Sequence, residues 1–271
     1  MLRQFDLIVV SKRFADGAKP TPPFTDPSLG WFFVDDINKG FEASEAEWIV
    51  VASEQVKVTR EFLNNLAECN ASFPMVDALA PRIHCLKDNT FHSGFRLDPH
   101  NGMSMLDENA KMRFVAAPHP LIGAYSRRIV QRTGKVDASL SYRAQVVDFT
   151  LRMLHAGGKM FSVPYLVANT SEAVDDTLFD NSKSLDEFTF AMFKSLGLWT
   201  NRKFLMRHAG TLYGLWIRRK ELEEKRDKAN KPAMRVVKIQ QRHIICTSPG
   251  GNDGKSMQMY NDAINDENAV W

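Results

Sequence analysis

The chain has 271 residues, 44% hydrophobic and 25% charged, the profile of an ordinary globular protein with enough chain to bury a sizeable core. Its 35 Lys and Arg against 32 Asp and Glu leave a formal charge of +3, too weak to make nucleic acid or an anionic membrane the default partner. No apolar run approaches the roughly 18 to 20 residues of a membrane span, and the N-terminal residues lack the pattern of a cleaved signal peptide. Cys69, Cys85 and Cys246 lie far apart and suit a reducing cytoplasm, not a disulfide scaffold or a zinc site.

Residues 5–10, FDLIVV, predict a buried strand ended by Ser11 and Lys12. Residues 15–30 carry Pro20, Pro22, Pro23 and Pro27 and cannot be a helix interior. A second apolar run, 31–34, leads into Asp35 and Asp36, and a third, 48–52, into Ser53, Glu54 and Gln55. Thr59 can cap a helix striped with Phe62, Leu63 and Leu66. Runs that do not alternate indicate strands covered on both faces, hence an α/β fold with a mostly parallel central sheet flanked by helices. Ligands of such sheets sit at the carboxyl ends of the strands, where Asp35, Asp36, Ser53, Glu54 and Gln55 would lie.

Residues 81–112 read as a long surface excursion or hairpin. A short strand follows at 121–124, then a helix at 126–131 stopped by Gly134, a helix at 144–155 ended by Gly157 and Gly158, and a strand at 160–163 closed by Pro164. Residues 184–228 have helical periodicity, and 246–271 form a polar tail rich in Gly, Asn and Asp. The chain thus divides into residues 1–170, a helical extension over 171–245, and the tail.

Asn38, Lys39, Gly40 and Phe41, followed by residues 46–52, resemble the N-x-G motif of family 2 glycosyltransferases of the GT-A fold and the strand that delivers that family's Asp-x-Asp metal motif. Residues 120–128, then Gly134 to Asp137, then Asp148, Arg152, Gly157, Gly158 and Pro164 follow the order of its G-x-F-D, E-D-x-D-L-x-x-R and G-x-k…v-P elements. The match covers about residues 5 to 170, and the order of weak motifs carries it, not any one of them.

The resemblance implies an inverting transfer of sugar from a nucleotide-diphospho-sugar to a glycan, lipid-linked or protein acceptor, in surface polysaccharide or glycoconjugate biosynthesis. It implies Asp35 or Asp36 as recognising the donor's base or ribose. It places the Asp-x-Asp on Ser53, Glu54 and Gln55, so both usual carboxylates are missing, and it places the Glu-Asp pair on Gln145 and Val146. The departing diphosphate needs positive charge and the acceptor hydroxyl needs a base. Glu54 can anchor Mg²⁺ or Mn²⁺ together with the phosphates; otherwise Lys57, Arg127 or Arg128 supplies the charge without metal. Asp148 is the remaining candidate base. It is also four residues before Arg152, the spacing of a structural ion pair. Arg127, Arg128, Asp137 and Arg152 are candidate acceptor or phosphate contacts. The missing carboxylates keep a second reading open, a non-catalytic GT-A-like protein that binds a nucleotide, a glycan or a partner enzyme.

His84, His92, His100 and His119 lack ligand spacing and read as solvated or structural. Basic residues over 218–231 are interleaved with Glu221, Glu223, Glu224 and Asp227, which favours a solvated helix face, with peripheral docking to an anionic membrane as the alternative and no nucleic-acid partner. The expected location is cytoplasmic, peripheral to the inner face of the membrane under the docking alternative.

Overall fold

The β-branched and aromatic runs form parallel strands β1 (Phe5–Val10), β2 (Leu29–Val34) and β3 (Trp48–Ser53), with β1 in the middle. Val10 lies opposite Val34 on one side and Ser53 on the other, so the three carboxyl ends share one level. The computed structural model describes residues 3–17, 20–74, 76–98, 102–105, 113–115 and 117–172, with residues 174, 191 and 220. After β1 the chain makes a single 3₁₀ turn, Lys12–Asp16, capped by Ser11 and ended by Gly17 at φ 82°. The proline-bearing loop then takes the place of a helix, as its composition requires.

Between β2 and β3 the chain forms helix α1 (Ile37–Ala43), an element the apolar pattern does not announce. Asp36 starts it by accepting from the Asn38 N–H at 2.7 Å. A helix of 7 residues with a central glycine carries too little periodicity to be read from pattern. A short strand β4 (Val56–Lys57) precedes α2 (Arg60–Ser72), whose cap is Thr59, accepting from Phe62 N–H at 3.2 Å. Phe62, Leu63 and Leu66 are its buried stripe, as predicted.

The stretch 81–112 is not all surface excursion. It begins inside β5 (Ala78–Cys85), an interior strand of the sheet, which turns back as β6 (Thr90–His92). A separate hairpin of β7 (Phe95–Asp98) and β8 (Gly102–Met105) follows, then β9 (Arg113–Phe114). β10 (Ile122–Ser126), α3 (Arg127–Thr133) and α4 (Tyr142–His155) match the predicted elements. β11 (Met160–Thr170) does not close at Pro164; it runs on through a register shift between Val163 and Val167. Pro81 of β5 faces Val163 at that shift, so both prolines sit where the ladder is already broken.

The sheet order is β2-β1-β3-β10-β5-β11-β4. β5 and β11 are parallel, and β10 runs antiparallel to both β3 and β5. The sheet is therefore mixed, with one reversed strand at its centre. Helices α1, α3 and α4 cover one face: Ile37, Ile129, Val130, Val147 and Leu151 pack with Ile8, Val10, Ile49 and Val51. Helix α2 covers the other, packing Phe62, Leu63 and Leu66 with Leu7, Trp48 and Val50. Two covered faces explain the unalternating strands. Cys69 and Cys85 are buried free thiols. No helix of the described residues is long and apolar enough to cross a membrane. The predicted helical extension 171–245, its basic segment 218–231 and the tail 246–271 lie almost wholly outside the described residues, as do Cys246 and His100.

Candidate functional site

The carboxyl ends of β1, β2 and β3 open into a cleft of about 960 Å³. Ser11, Lys12 and Arg13 enter it after β1, Asp35 and Asp36 after β2, and Ser53, Glu54 and Gln55 after β3. The facing wall is the loop into α4 and that helix's first turn: Ala138, Leu140, Ser141, Tyr142, Arg143 and Gln145. Backbone bonds fix the loops to one another, Ser11 N–H to Val34 O at 3.0 Å and Ser53 N–H to Leu121 O at 2.8 Å.

The N-x-G resemblance has a physical role here. The Asn38 amide donates to Val136 O at 3.2 Å and accepts from Val136 N–H at 2.8 Å, which ties α1 to the facing wall. Gly40 allows α1 to approach β1, since a Cβ there would meet Ile8 Cγ2 at 2.4 Å.

The carboxylates of the cleft differ in their commitments. Lys39 Nζ donates to both oxygens of Asp35, at 2.7 and 3.0 Å, and holds that carboxyl below the usual range. Asp36 is engaged as the α1 cap. Glu54 is exposed and lies 3.7 Å from Arg13 Nε. Gln145 stands on the cleft wall, donating through Nε2 to Leu140 O at 2.8 Å. An amide there cannot take a proton from an acceptor at neutral pH.

Asp35, Asp36, Ser53, Glu54 and Gln55 are thus brought together as the sequence implied, and other predicted site residues are not. Asp148 is fully buried beneath the cleft wall, accepting from Arg152 Nε at 3.0 Å. Arg152 also donates to Thr133 O at 3.0 Å and Lys135 O at 2.7 Å, fastening α4 to the end of α3. Neither Asp148 nor Arg152 is among the residues that line the cleft, where the resemblance had placed them. Arg127 and Arg128 lie away from the cleft as well. Because β10 is antiparallel, its last residue Ser126 pairs with Trp48, the first of β3, and α3 starts at the far end of the sheet. There Arg127, Arg128 and Arg3 line a second hollow of about 860 Å³, and Arg128 is bound to Asp77 at 2.6 Å. Asp137 lies on the wall loop, but its carboxylate accepts from Ser139 N–H at 3.2 Å and Ser139 Oγ at 2.6 Å. Lys57 lines a third hollow of about 980 Å³, walled by Phe24, Trp31 and Phe33, whose lining shares Arg13 and Glu54 with the cleft.

The cations that do reach the cleft are Lys12, Arg13 and Arg143, which sequence reading passed over. A signal was present: Lys12 and Arg13 directly follow a predicted parallel strand, the position where such sheets bind ligands. Nothing local marked Arg143.

The donor set does not suit a divalent cation. Mg²⁺ and Mn²⁺ favour near-octahedral oxygen coordination with charged ligands. Here the loop after β3 offers one carboxylate, already beside a guanidinium, with a neutral hydroxyl and amide on either side. No group of three or more His, Cys, Asp and Glu among the described residues could hold a metal ion. His84 pairs with Asn89 Oδ1 at 2.8 Å, while His92 and His119 are buried. Burial pushes His119 down to about 3, with His92 and Arg143 adding to the effect.

No protein-family model and no curated protein matches the chain. Solved structures do. The crystal structure of GalNAc-T7 with UDP, GalNAc and Mn²⁺ aligns with TM-score 0.55 at 10% identity, over 85% of this chain and 55% of that one. The chain therefore spans about half the length of that structure. The mannosyltransferase PcManGT from Pyrobaculum calidifontis, in complex with GDP-Man and Mn²⁺, aligns with TM-score 0.39 at 13% identity, over 72% of this chain and 62% of that one. Both are GT-A glycosyltransferases. At such identity the first likeness speaks for architecture alone: the chain has the GT-A glycosyltransferase fold.

Proposed function

We propose that this protein is a glycosyltransferase that binds a nucleotide-diphospho-sugar in the cleft at the ends of β1, β2 and β3 and passes the sugar, with inversion, to a glycan, lipid-linked or protein acceptor. The observation that carries the reading is the convergence of Asp35, Asp36 and Glu54 with Lys12, Arg13 and Arg143 in one cleft at the strand ends. Asp35 and Asp36 would face the ribose or base, and the loop after β3 the diphosphate. Surface polysaccharide or glycoconjugate assembly on the cytoplasmic side of a membrane is a setting that fits such acceptors.

In the transfer the acceptor oxygen bonds to the anomeric carbon, that carbon's bond to the diphosphate oxygen breaks, and the acceptor proton goes to a base. Inversion brings the acceptor from the face opposite the diphosphate, so Glu54, in the loop set beside the diphosphate, is not assigned as that base; Asp148 is buried and Asp36 holds a helix cap. Gln145 in the wall favours the second reading, a protein of this fold that binds nucleotide or glycan without transfer.

The test is incubation of the full chain with UDP- and GDP-sugars, reading nucleotide release and calorimetric binding together. Binding with release supports the transferase, binding without release supports the second reading, and the absence of both removes the two.

A further inference from the structure

We infer that the cleft binds a nucleoside diphosphate without a divalent cation, Arg13 occupying the place beside Glu54 that a metal ion would need and presenting its guanidinium to the diphosphate with Lys12 and Arg143. This rests on the nucleotide-sugar reading and narrows it. A metal bridging protein and diphosphate requires carboxylates turned toward the phosphates. Asp35 is engaged by Lys39, Asp36 caps α1, and Glu54 has an arginine 3.7 Å away. A cation is therefore already in place where the ion would sit, and it repels a second one.

Arg13 is positioned for the task. Its side chain is 83% exposed, so no packing holds it away from a ligand. Its backbone is fixed, because its N–H donates to Ser11 Oγ at 3.2 Å in a turn that follows β1 directly. A guanidinium presents a planar fork of donors that matches two phosphate oxygens, and it releases Glu54 for them at little cost. Lys12 and Arg143, on the floor and the facing wall, bring positive charge to the diphosphate from both sides. Charge that a metal would supply to the leaving group is then supplied by protein side chains.

The test is calorimetric titration of the full chain with UDP and with GDP, once in EDTA and once in MnCl₂. The expected result is that at least one nucleotide binds in EDTA and that Mn²⁺ changes its Kd less than about threefold. Arg13→Ala weakens that binding by about tenfold or more, as expected for loss of a charge-assisted contact. Glu54→Gln binds at least as tightly as the parent, because a negative charge beside the phosphates is gone. Binding that needs Mn²⁺, or that Glu54→Gln abolishes, overturns the inference and leaves the nucleotide-sugar reading standing. Binding in EDTA that Arg13→Ala leaves unchanged overturns the role given to Arg13. No binding under either condition overturns the nucleotide-sugar reading itself. Arg13 is exposed, so the alanine variant keeps the fold, which far-UV circular dichroism checks.

Discussion

Gln145 and Asp148 sit one turn apart on α4, yet one meets the cleft and the other is sealed inside. That difference decides what each can do. Removing one partner from a buried ion pair leaves a charge in low dielectric, so Asp148→Ala should cost about 3 kcal/mol of stability. Thermal unfolding would register this as a fall of several degrees, while nucleotide affinity measured below that transition stays within about twofold. A base facing the acceptor would show the opposite pattern, lost turnover with unchanged stability. His119 gives a second residue-scale expectation. Its folded value of about 3 lies below the ordinary 6.5, so between those values the unfolded chain binds a proton that the folded protein refuses. Stability must therefore fall as pH drops from 6.5 toward 3. Asn in its place keeps an acceptor for Leu121 N–H, which now bonds His119 Nδ1 at 3.2 Å. Melting curves of His119→Asn from pH 7 to about pH 4 should be flatter than those of the parent.

Among the elements, α1 links the sheet to the cleft. It carries the Asp36 cap, the Asn38 bridge to Val136 and the close approach of Gly40 to Ile8. Ile8 is β-branched and fully buried, so it cannot move aside for a methyl group. Gly40→Ala should cost about 1 to 3 kcal/mol and, by lifting α1 and with it Asp35 and Asp36, weaken nucleotide binding as well. Denaturant unfolding and a nucleotide titration on the same sample would check both; a change in stability with affinity untouched would separate α1 from the cleft. The sequence made β1, β2, β3, α2, α3 and α4 legible because each is an uninterrupted apolar run or a capped stripe long enough to show its period. It hid β5 because Pro81, Arg82 and His84 interrupt the run, and their strand conformation is set by neighbours far along the chain. It hid the end of β11 because a bulge tolerates Pro164. The acidic and amide residues of the cleft were legible from strand ends alone. The cationic ones were not, because nothing local in residues 122–126 tells that β10 runs backwards and carries Arg127 and Arg128 to the other end.

At the scale of the molecule, the described part of the chain has hollows with cationic side chains at both ends of the sheet, each also holding carboxylates: Asp35, Asp36 and Glu54 in one, Glu45 and Glu47 in the other. One is lined by Lys12, Arg13 and Arg143 at the carboxyl ends of β1, β2 and β3, the other by Arg3, Arg127 and Arg128 at their amino ends. Charge alone would let an anion choose either. What distinguishes them is place: the first lies at the carboxyl ends of three parallel strands under a wall formed by α4, while in the second Arg128 is bound to Asp77. Parallel strands direct their loops, and hence their ligands, to the carboxyl side. A crystal structure of the full chain with UDP or GDP at saturating concentration therefore tests the central claim most directly. The predicted result is a diphosphate beside Arg13 and Glu54 with its ribose toward Asp35 and Asp36. A diphosphate seated at Arg3 and Arg127, or in neither hollow, would contradict it.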